Sequence, residues 1–263
     1  LLNIPVILLS AVGSDTQGLK VLEETSRSGV CTDYILRSKD YNTGTYIALL
    51  DNQGEMILAL SDMQILNNLD TAYFQKKLDL IKDSKFIICD TNIPIDSIRY
   101  LKETANALGI PIFIEPVSVA KAQKLKNCLQ GIDYITPNLD ELMALSGYDS
   151  VNQDMQKAAQ YLIDSGVKNV ITTLGQKGLY YTSAEGNKHL SCINVPIKDV
   201  TGAGDSLTAG FIYGIHKYND VEKALKCGLA AAAITIGSEE TVSSKMSEKA
   251  IEAVLLQYSL QQI

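Results

Sequence analysis

Residues 200–210 read VTGAGDSLTAG, and the spacing of two glycines and an aspartate in that stretch implies a chemistry. The apolar run SCINV precedes it and AGFIYGIHKY follows with helical periodicity, which puts Gly202, Ala203 and Gly204 at the first turn of a helix. Backbone N–H groups there lack intrahelical partners, and glycine lets them approach a bound group with no side chain in the way. A helix start of this kind holds anions. Asp205 has two readings. It is a first-turn carboxylate complementing the helix dipole, or it is a base that takes a proton from an attacking hydroxyl while the amides hold phosphoryl oxygens. The second pairing is what phosphoryl transfer needs.

Other residues join that chemistry by position. Asn138 and Glu141, in TPNLDEL, lie three apart at a strand-to-helix junction and share one face. They form either a helix cap with its capping-box glutamate or a magnesium and phosphate shell, since Mg²⁺ takes only one or two carboxylates. The TLGQKG segment, Thr173 to Gly178, is a tight hairpin or a nucleotide contact. Lys121 and Lys177 are surface lysines or phosphate contacts. Asn92 caps the helix that begins at Ile93–Pro94 or meets a substrate from a strand end. Two other phosphate motifs are missing: there is no GxxxxGK[ST], and Leu207 stands where a dinucleotide fingerprint would need its third glycine.

The elements that must position these residues are regular from about residue 85. Short apolar runs, KFIICD, IPIFIEP, DYITP and NVITTLG, alternate with amphipathic segments such as IDSIRYLKETANAL and MQKAAQYLIDSG. That alternation predicts a parallel sheet with helices on both faces, and ligands bind at the carboxyl ends of such strands. Those ends carry DTN, EPVS, TPN and TLGQKG. Residues 32–62 differ: TDYILR, TYIALL and EMILALSD read as short strands, the last two joined by a DNQG turn. The C-terminal third predicts helices at 205–217, 220–236 and 246–260. The opening LLNIPVILLSAVG reads as a helix end running into strand VILLSAV, so residues are expected before Leu1.

Composition narrows the function further. The chain has 263 residues, 46% hydrophobic and 20% charged, with net charge −7 and no dense run of Lys or Arg. Nucleic acid and anionic membrane are therefore not expected partners, and no run approaches the ~20 apolar residues of a membrane span. The five cysteines form no CxxC pair and there are two histidines. This argues against zinc and a disulfide framework and fits a reducing, cytoplasmic compartment.

Taken in order, SAVGSDTQG, the β hairpin, EPVSVAK, TPNLDELMALSG, TLGQKG and DVTGAGDSLTAG resemble the ribokinase-like (PfkB) family of sugar and nucleoside kinases over essentially the full chain. The resemblance implies a three-layer α/β/α domain, residues 1–31 and 64–263, with a mostly parallel sheet, plus a small β-sheet lid at 32–63. It implies ATP-dependent transfer to the hydroxyl of a small sugar or nucleoside, with Mg²⁺ and K⁺ as cofactors; the alternating pattern of the lid strands itself suits a lid, a homodimer surface or both. On that resemblance Asp205 is the general base, and the amides of Gly202, Ala203 and Gly204 form the anion hole. Asn138 and Glu141 match the family's NxxE motif, acting on phosphate and Mg²⁺. Thr173, Gly175 and Gly178 belong to the nucleotide-contacting turn. Asp199 and Thr201 start a monovalent-cation loop, where Val200 replaces a frequent Thr.

Within the family, TGTYIALLDNQGEM and EPVSVAK are similar to members that phosphorylate the 5′-hydroxyl of pseudouridine. That match has Tyr46, Ala48 and Leu60 facing the substrate and Asn92 contacting its sugar. Tyr46 reads equally as a cross-strand packing residue. The runner-up acceptors are another nucleoside, ribose, fructose or a keto-sugar acid. A catalytically silent sugar- or nucleotide-binding protein is the alternative of another class. The family's early strand with its substrate-binding Asp and Gly-Gly-Asn segment does not appear after Leu1.

Overall fold

The computed structural model describes residues 1–50, 56–148 and 155–261, and it divides into two compact units. One comprises Pro5–Ile135; the other comprises Leu1–Ile4 with Thr136–Ile263.

In the Pro5–Ile135 unit, β1 (Ala11–Gly13) leads into α1 (Thr16–Arg27), and β2 (Leu36–Ser38) pairs in parallel with β1. Strands β3 (Thr45–Leu50) and β4 (Met56–Asp62) form a separate antiparallel pair. The DNQG turn expected between them lies outside the described residues. Short helices α2 (Thr71–Gln75) and α3 (Leu78–Lys82) precede β5 (Ile87–Asp90), α4 (Ile95–Leu108), β6 (Ile112–Glu115), α5 (Val119–Ala122) and β7 (Tyr134–Ile135). β5, β6 and β7 pair in parallel, in the order expected from their alternation with helices. The strand–helix packing follows from the residue pattern. Ile112, Phe113 and Ile114 are all but fully buried, and α4 turns Ile98, Leu101 and Ala105 inward. Gly109, at φ 68°, ends α4 in the left-handed conformation that glycine adopts without strain.

Two expectations fail in the first 38 residues. The opening segment is neither a helix end nor a long strand. Strand structure begins at Ala11, preceded only by an isolated bridge from Ile7 to Cys31. Pro5 brings no N–H to a ladder, Asn3 sits at φ 52°, and Val6, Ile7 and Leu8 remain exposed. TDYILR also contributes less strand than expected: only Leu36–Ser38 is extended, and it is paired with β1 rather than with β3 or β4.

In the second unit, α6 (Leu139–Ser146) and α7 (Met155–Asp164) pack on one another and on β8 (Asn169–Thr173). β8, β9 (Leu179–Ser183) and β10 (Gly186–Leu190) are antiparallel, not parallel. The reason is length: residues 174–178 join β8 to β9, with Gly175 at φ 57° and Gly178 at φ 89°, and residues 184–185 join β9 to β10, both links far too short for a parallel crossover. Helices α8 (Ala203–Tyr218), α9 (Val221–Ile236) and α10 (Glu248–Gln261) follow, within two residues of the starts and ends expected. SCINV, by contrast, is irregular. The α8–α9 contact is glycine-mediated. A Cβ at Gly210 would sit 2.6 Å from Ala231 Cβ, and one at Gly214 would sit 2.4 Å from Ala224 Cα. Ser206 and Thr235 share a 2.6 Å hydroxyl bond across the same seam. Among the described residues no helix is long and apolar enough to cross a membrane.

Candidate active site

The start of α8 combines a glycine cap with open space at the glycine two residues on. Gly202 takes the cap position at φ 79°, and having no side chain it caps nothing. It lies so close to Thr241 that a Cβ would meet the Thr241 carbonyl oxygen at 2.7 Å. The Ala203 N–H bonds the Val200 carbonyl at 3.2 Å, and the Ser206 N–H bonds the Gly202 carbonyl at 2.9 Å. Among the described residues the Gly204 N–H has no partner, and a Cβ on Gly204 would meet nothing within 4 Å. Packing thus explains glycine at 202, 210 and 214 but not at 204. Asp205, in the first turn beside that open amide, is exposed. A helix-start amide with space before it can hold an anion, and a carboxylate beside it can take a proton.

The loop ahead of α8 is ordered by its own residues. Asp199 Oδ1 accepts the Thr201 N–H at 2.8 Å, and this bonding holds its carboxyl below the usual carboxylate range. The Lys198 N–H bonds the Ile236 carbonyl at the end of α9.

Asn138 and Glu141 form the capping box: Asn138 Oδ1 accepts the Glu141 N–H and Glu141 Oε2 accepts the Asn138 N–H, each at 2.9 Å. Glu141 is only 3% exposed, and burial pushes its carboxyl up. Both halves of the capping expectation are therefore met, and the box holds the end of the segment after β7 against β8. Asn138 bridges Thr173, and the Thr173 N–H bonds the Pro137 carbonyl at 2.9 Å. This juxtaposes Asn138 with the start of the 173–178 turn. Gly178 has no room for a side chain, since a Cβ would lie 2.0 Å from the Leu190 carbonyl oxygen, whereas Gly175 faces open space. Lys177 is exposed on that turn, and its carbonyl meets His189 Nε2 at 2.8 Å.

The Pro5–Ile135 unit carries the other expected residues. Asn92 does not cap a helix: α4 starts at Ile95 behind Pro94, with no side-chain cap. Asn92 is instead held by Asp90, whose Oδ1 accepts its N–H at 2.8 Å and whose Oδ2 accepts its side-chain amide at 2.7 Å. The Lys121 ammonium donates to Asn92 Oδ1, which assigns that lysine a partner other than a phosphate. Lys124 reaches the Thr91 carbonyl at 3.2 Å. Between them runs the EPVS segment, where Val117 is held at φ 68°. A β-branched residue there costs of order 1–3 kcal/mol and persists only where its surroundings dictate it.

On the β3–β4 pair, Tyr46 opposes Ser61 and Ile47 opposes Leu60. Opposed residues share a face and successive residues alternate, so Tyr46 and Leu60 lie on opposite faces. The expectation that Tyr46, Ala48 and Leu60 line one substrate surface fails for Leu60. Ala48 pairs with Ala59 in the same ladder. Sequence reasoning also passed over Asp15 and Thr43, whose side chains bond one another at 2.7 Å; the G-x-D-x-x-G spacing at 13–18 was the available signal. Among the described residues no group of three His, Cys, Asp or Glu forms a metal cluster.

The family model described as pfkB family carbohydrate kinase matches residues 1–249. Pseudouridine kinase of Escherichia coli is 37% identical over 205 residues, covering 77% of this chain and 65% of that protein. The chain therefore spans somewhat under two-thirds of that relative's length. A carbohydrate kinase from Agrobacterium tumefaciens superposes with a TM-score of 0.82 at 30% identity, over 97% of this chain and 81% of that one. Ribokinase from Thermotoga maritima does so with a TM-score of 0.83 at 25% identity, over 95% and 81%. The fold is ribokinase-like, and the chain belongs to the pfkB family of carbohydrate kinases.

Proposed function

We propose that this protein transfers the γ-phosphoryl group of ATP to the 5′-hydroxyl of pseudouridine, giving pseudouridine 5′-phosphate and ADP. The observation that carries the transfer chemistry is the start of α8, where the open Gly204 amide stands beside the exposed Asp205. Asp205 accepts the hydroxyl proton as the oxygen attacks the γ-phosphorus, and the bond from that phosphorus to the ADP oxygen breaks in line. In this reading the amides of Gly202 and Gly204 serve the charge that develops on the phosphoryl oxygens, whereas the expected third donor, the Ala203 N–H, is already bonded to the Val200 carbonyl. Asn138 and the turn bearing Thr173, Gly175 and Gly178 serve the nucleotide.

Glu141 fits magnesium only indirectly. Its burial and its place in the capping box suit a metal that keeps its waters and takes its other oxygens from phosphates. That metal would neutralise phosphate charge. Asp199 and Thr201 are assigned to a potassium site in the loop ahead of α8.

The acceptor assignment rests on the 37% identity to a pseudouridine kinase and on the TGTYIALL and EPVSVAK segments. In this reading Tyr46 meets the base and Asn92 the sugar. The face of the β3–β4 lid opposite Tyr46, with Ile47, Leu49, Leu58 and Leu60 exposed, is where a second copy pairs. The likeness to a ribokinase makes ribose the second acceptor to test.

The test is ADP release by the full-length protein with Mg-ATP, in K⁺ and in Na⁺, against pseudouridine, uridine, ribose, fructose and no acceptor. Turnover confined to pseudouridine and higher in K⁺ is expected. Turnover confined to another sugar would overturn the acceptor and keep the chemistry, and ATP-independent ligand binding without turnover would overturn the chemistry.

A further inference from the structure

The β3–β4 pair is a two-stranded ribbon with Ile47, Leu49, Ile57, Leu58 and Leu60 all more than half exposed. Two strands with little burial are marginal by themselves, so the pose of this ribbon is set where it joins the rest of its unit. That junction is unusually constrained on both legs.

On the leg entering β3, Asp15 and Thr43 are interlocked. Asp15 Oδ1 accepts the Gly18 N–H and the Thr43 hydroxyl, and Oδ2 accepts the Thr43 N–H, each at 2.7 Å. The Thr43 oxygen in turn accepts the Gly13 N–H at 3.0 Å. The end of β1, the cap of α1 and the residue two before β3 thus meet in one network of charge-assisted bonds. The fit leaves no spare volume. A Cβ on Gly13 would lie 2.6 Å from both Asp15 Oδ2 and the Thr43 nitrogen, and one on Gly18 would lie 2.3 Å from the Gly13 carbonyl oxygen. Thr43 bonding holds the Asp15 carboxyl below its ordinary range, so the anchor stays charged across the neutral range.

On the leg leaving β4, Gly44 runs against Met63, where a Cβ would lie 2.8 Å from the sulfur. Chain beyond Met63 enters a short 3₁₀ turn fastened by the buried Ile65. At the Thr43–Gly44 dipeptide the ribbon thus meets a fixed, charged anchor and a glycine side by side.

We infer that Asp15 and Thr43 are positioning residues that set the pose of the β3–β4 ribbon, and through it of Tyr46, over the acceptor. This inference rests on the proposed kinase reading in its catalytic consequence but not in its mechanical one. Neither residue touches the reacting atoms. Their loss leaves the chemistry intact and loosens the element that recognises the acceptor and excludes water from the transfer.

The test compares Thr43→Val and Thr43→Ser with the wild-type full-length protein. Valine keeps the shape and removes the hydroxyl from Asp15 and Gly13; serine restores it. Hydrogen exchange is expected to quicken by roughly tenfold or more in Thr45–Leu50 and Met56–Asp62 of Thr43→Val, with β8 and β9 unchanged. The acceptor KM rises roughly tenfold, the ATP KM stays within about twofold, and ADP released without acceptor increases relative to phosphorylated product. Thr43→Ser returns each readout toward wild type. Unchanged exchange in the two strands overturns the inference, as does an equal rise of both KM values. If the wild-type protein turns over no acceptor, the proposed function fails by itself, and the exchange measurement alone decides the anchor.

Discussion

Two helix starts in this chain share glycine, serine, threonine and aspartate and arrange them in opposite ways. At α1 the sequence is GSDTQG, and at α8 it is TGAGDS. In the first, the aspartate is the cap itself: Asp15 spends both carboxylate oxygens on Gly18 and Thr43, and its glycines are needed because neighbouring backbone and side-chain atoms fill the space a Cβ would take. In the second, a glycine is the cap and the aspartate is moved into the helix. Asp205 is exposed there, and among the described residues nothing lies within 4 Å of a Cβ added to the glycine before it. A polar cluster that satisfies itself holds the structure, whereas one that leaves an amide unmet and space beside it is suited to a ligand.

The contrast is broken most severely at Asp205. Asp205→Asn keeps size and helix position and removes the base, so acceptor-dependent ADP release should fall by about 10²–10⁴-fold, with at most a small drop in melting temperature from the lost first-turn charge. A variant that melts early would instead place Asp205 with Asp15 as a structural carboxylate.

At the other helix, Gly18→Ala forces a methyl to 2.3 Å from the Gly13 carbonyl oxygen and 2.8 Å from the Thr43 hydroxyl. A loss of about 1–3 kcal/mol in denaturant unfolding is expected, the usual range for overpacking. Retained stability would show that the α1 start is looser than its contacts indicate.

The finest test is Gly204→Ala. Gly204 lies in α8 with nothing within 4 Å of an added Cβ, so the helix should gain about 0.5–1 kcal/mol from alanine. If the space belongs to a phosphoryl group, turnover should drop by at least roughly tenfold in the same variant. Greater stability with lower turnover sharpens the comparison; greater stability with full turnover would remove Gly204 from the site.

Much of this was readable in advance because it is local. The helices at 203–218 and 221–236 follow from 3.6-residue periodicity, and β5, β6 and β7 from short apolar runs between amphipathic segments. The capping box of Asn138 and Glu141 is a spacing rule within one turn, and it formed as read. The GAGD start of α8 is legible from its neighbours in sequence, although the fit of Gly202 against Thr241 is not.

Tertiary structure decided whatever depended on partners distant in the chain. Periodicity does not reveal which strand another strand joins, so β2 went to β1 rather than to β3 or β4. Register alone set Leu60 against Ile47, away from the face of Tyr46. Asn92 was free, on sequence grounds, to cap a helix, until Asp90 and Lys121 claimed its side chain. Asp15 and Thr43 are 28 residues apart, and only folding brings their oxygens to 2.7 Å. Local backbone preference acts over a few residues and is written in order along the chain. Hydrogen-bond satisfaction and close packing act through space, and they select among the arrangements that local preference leaves equal.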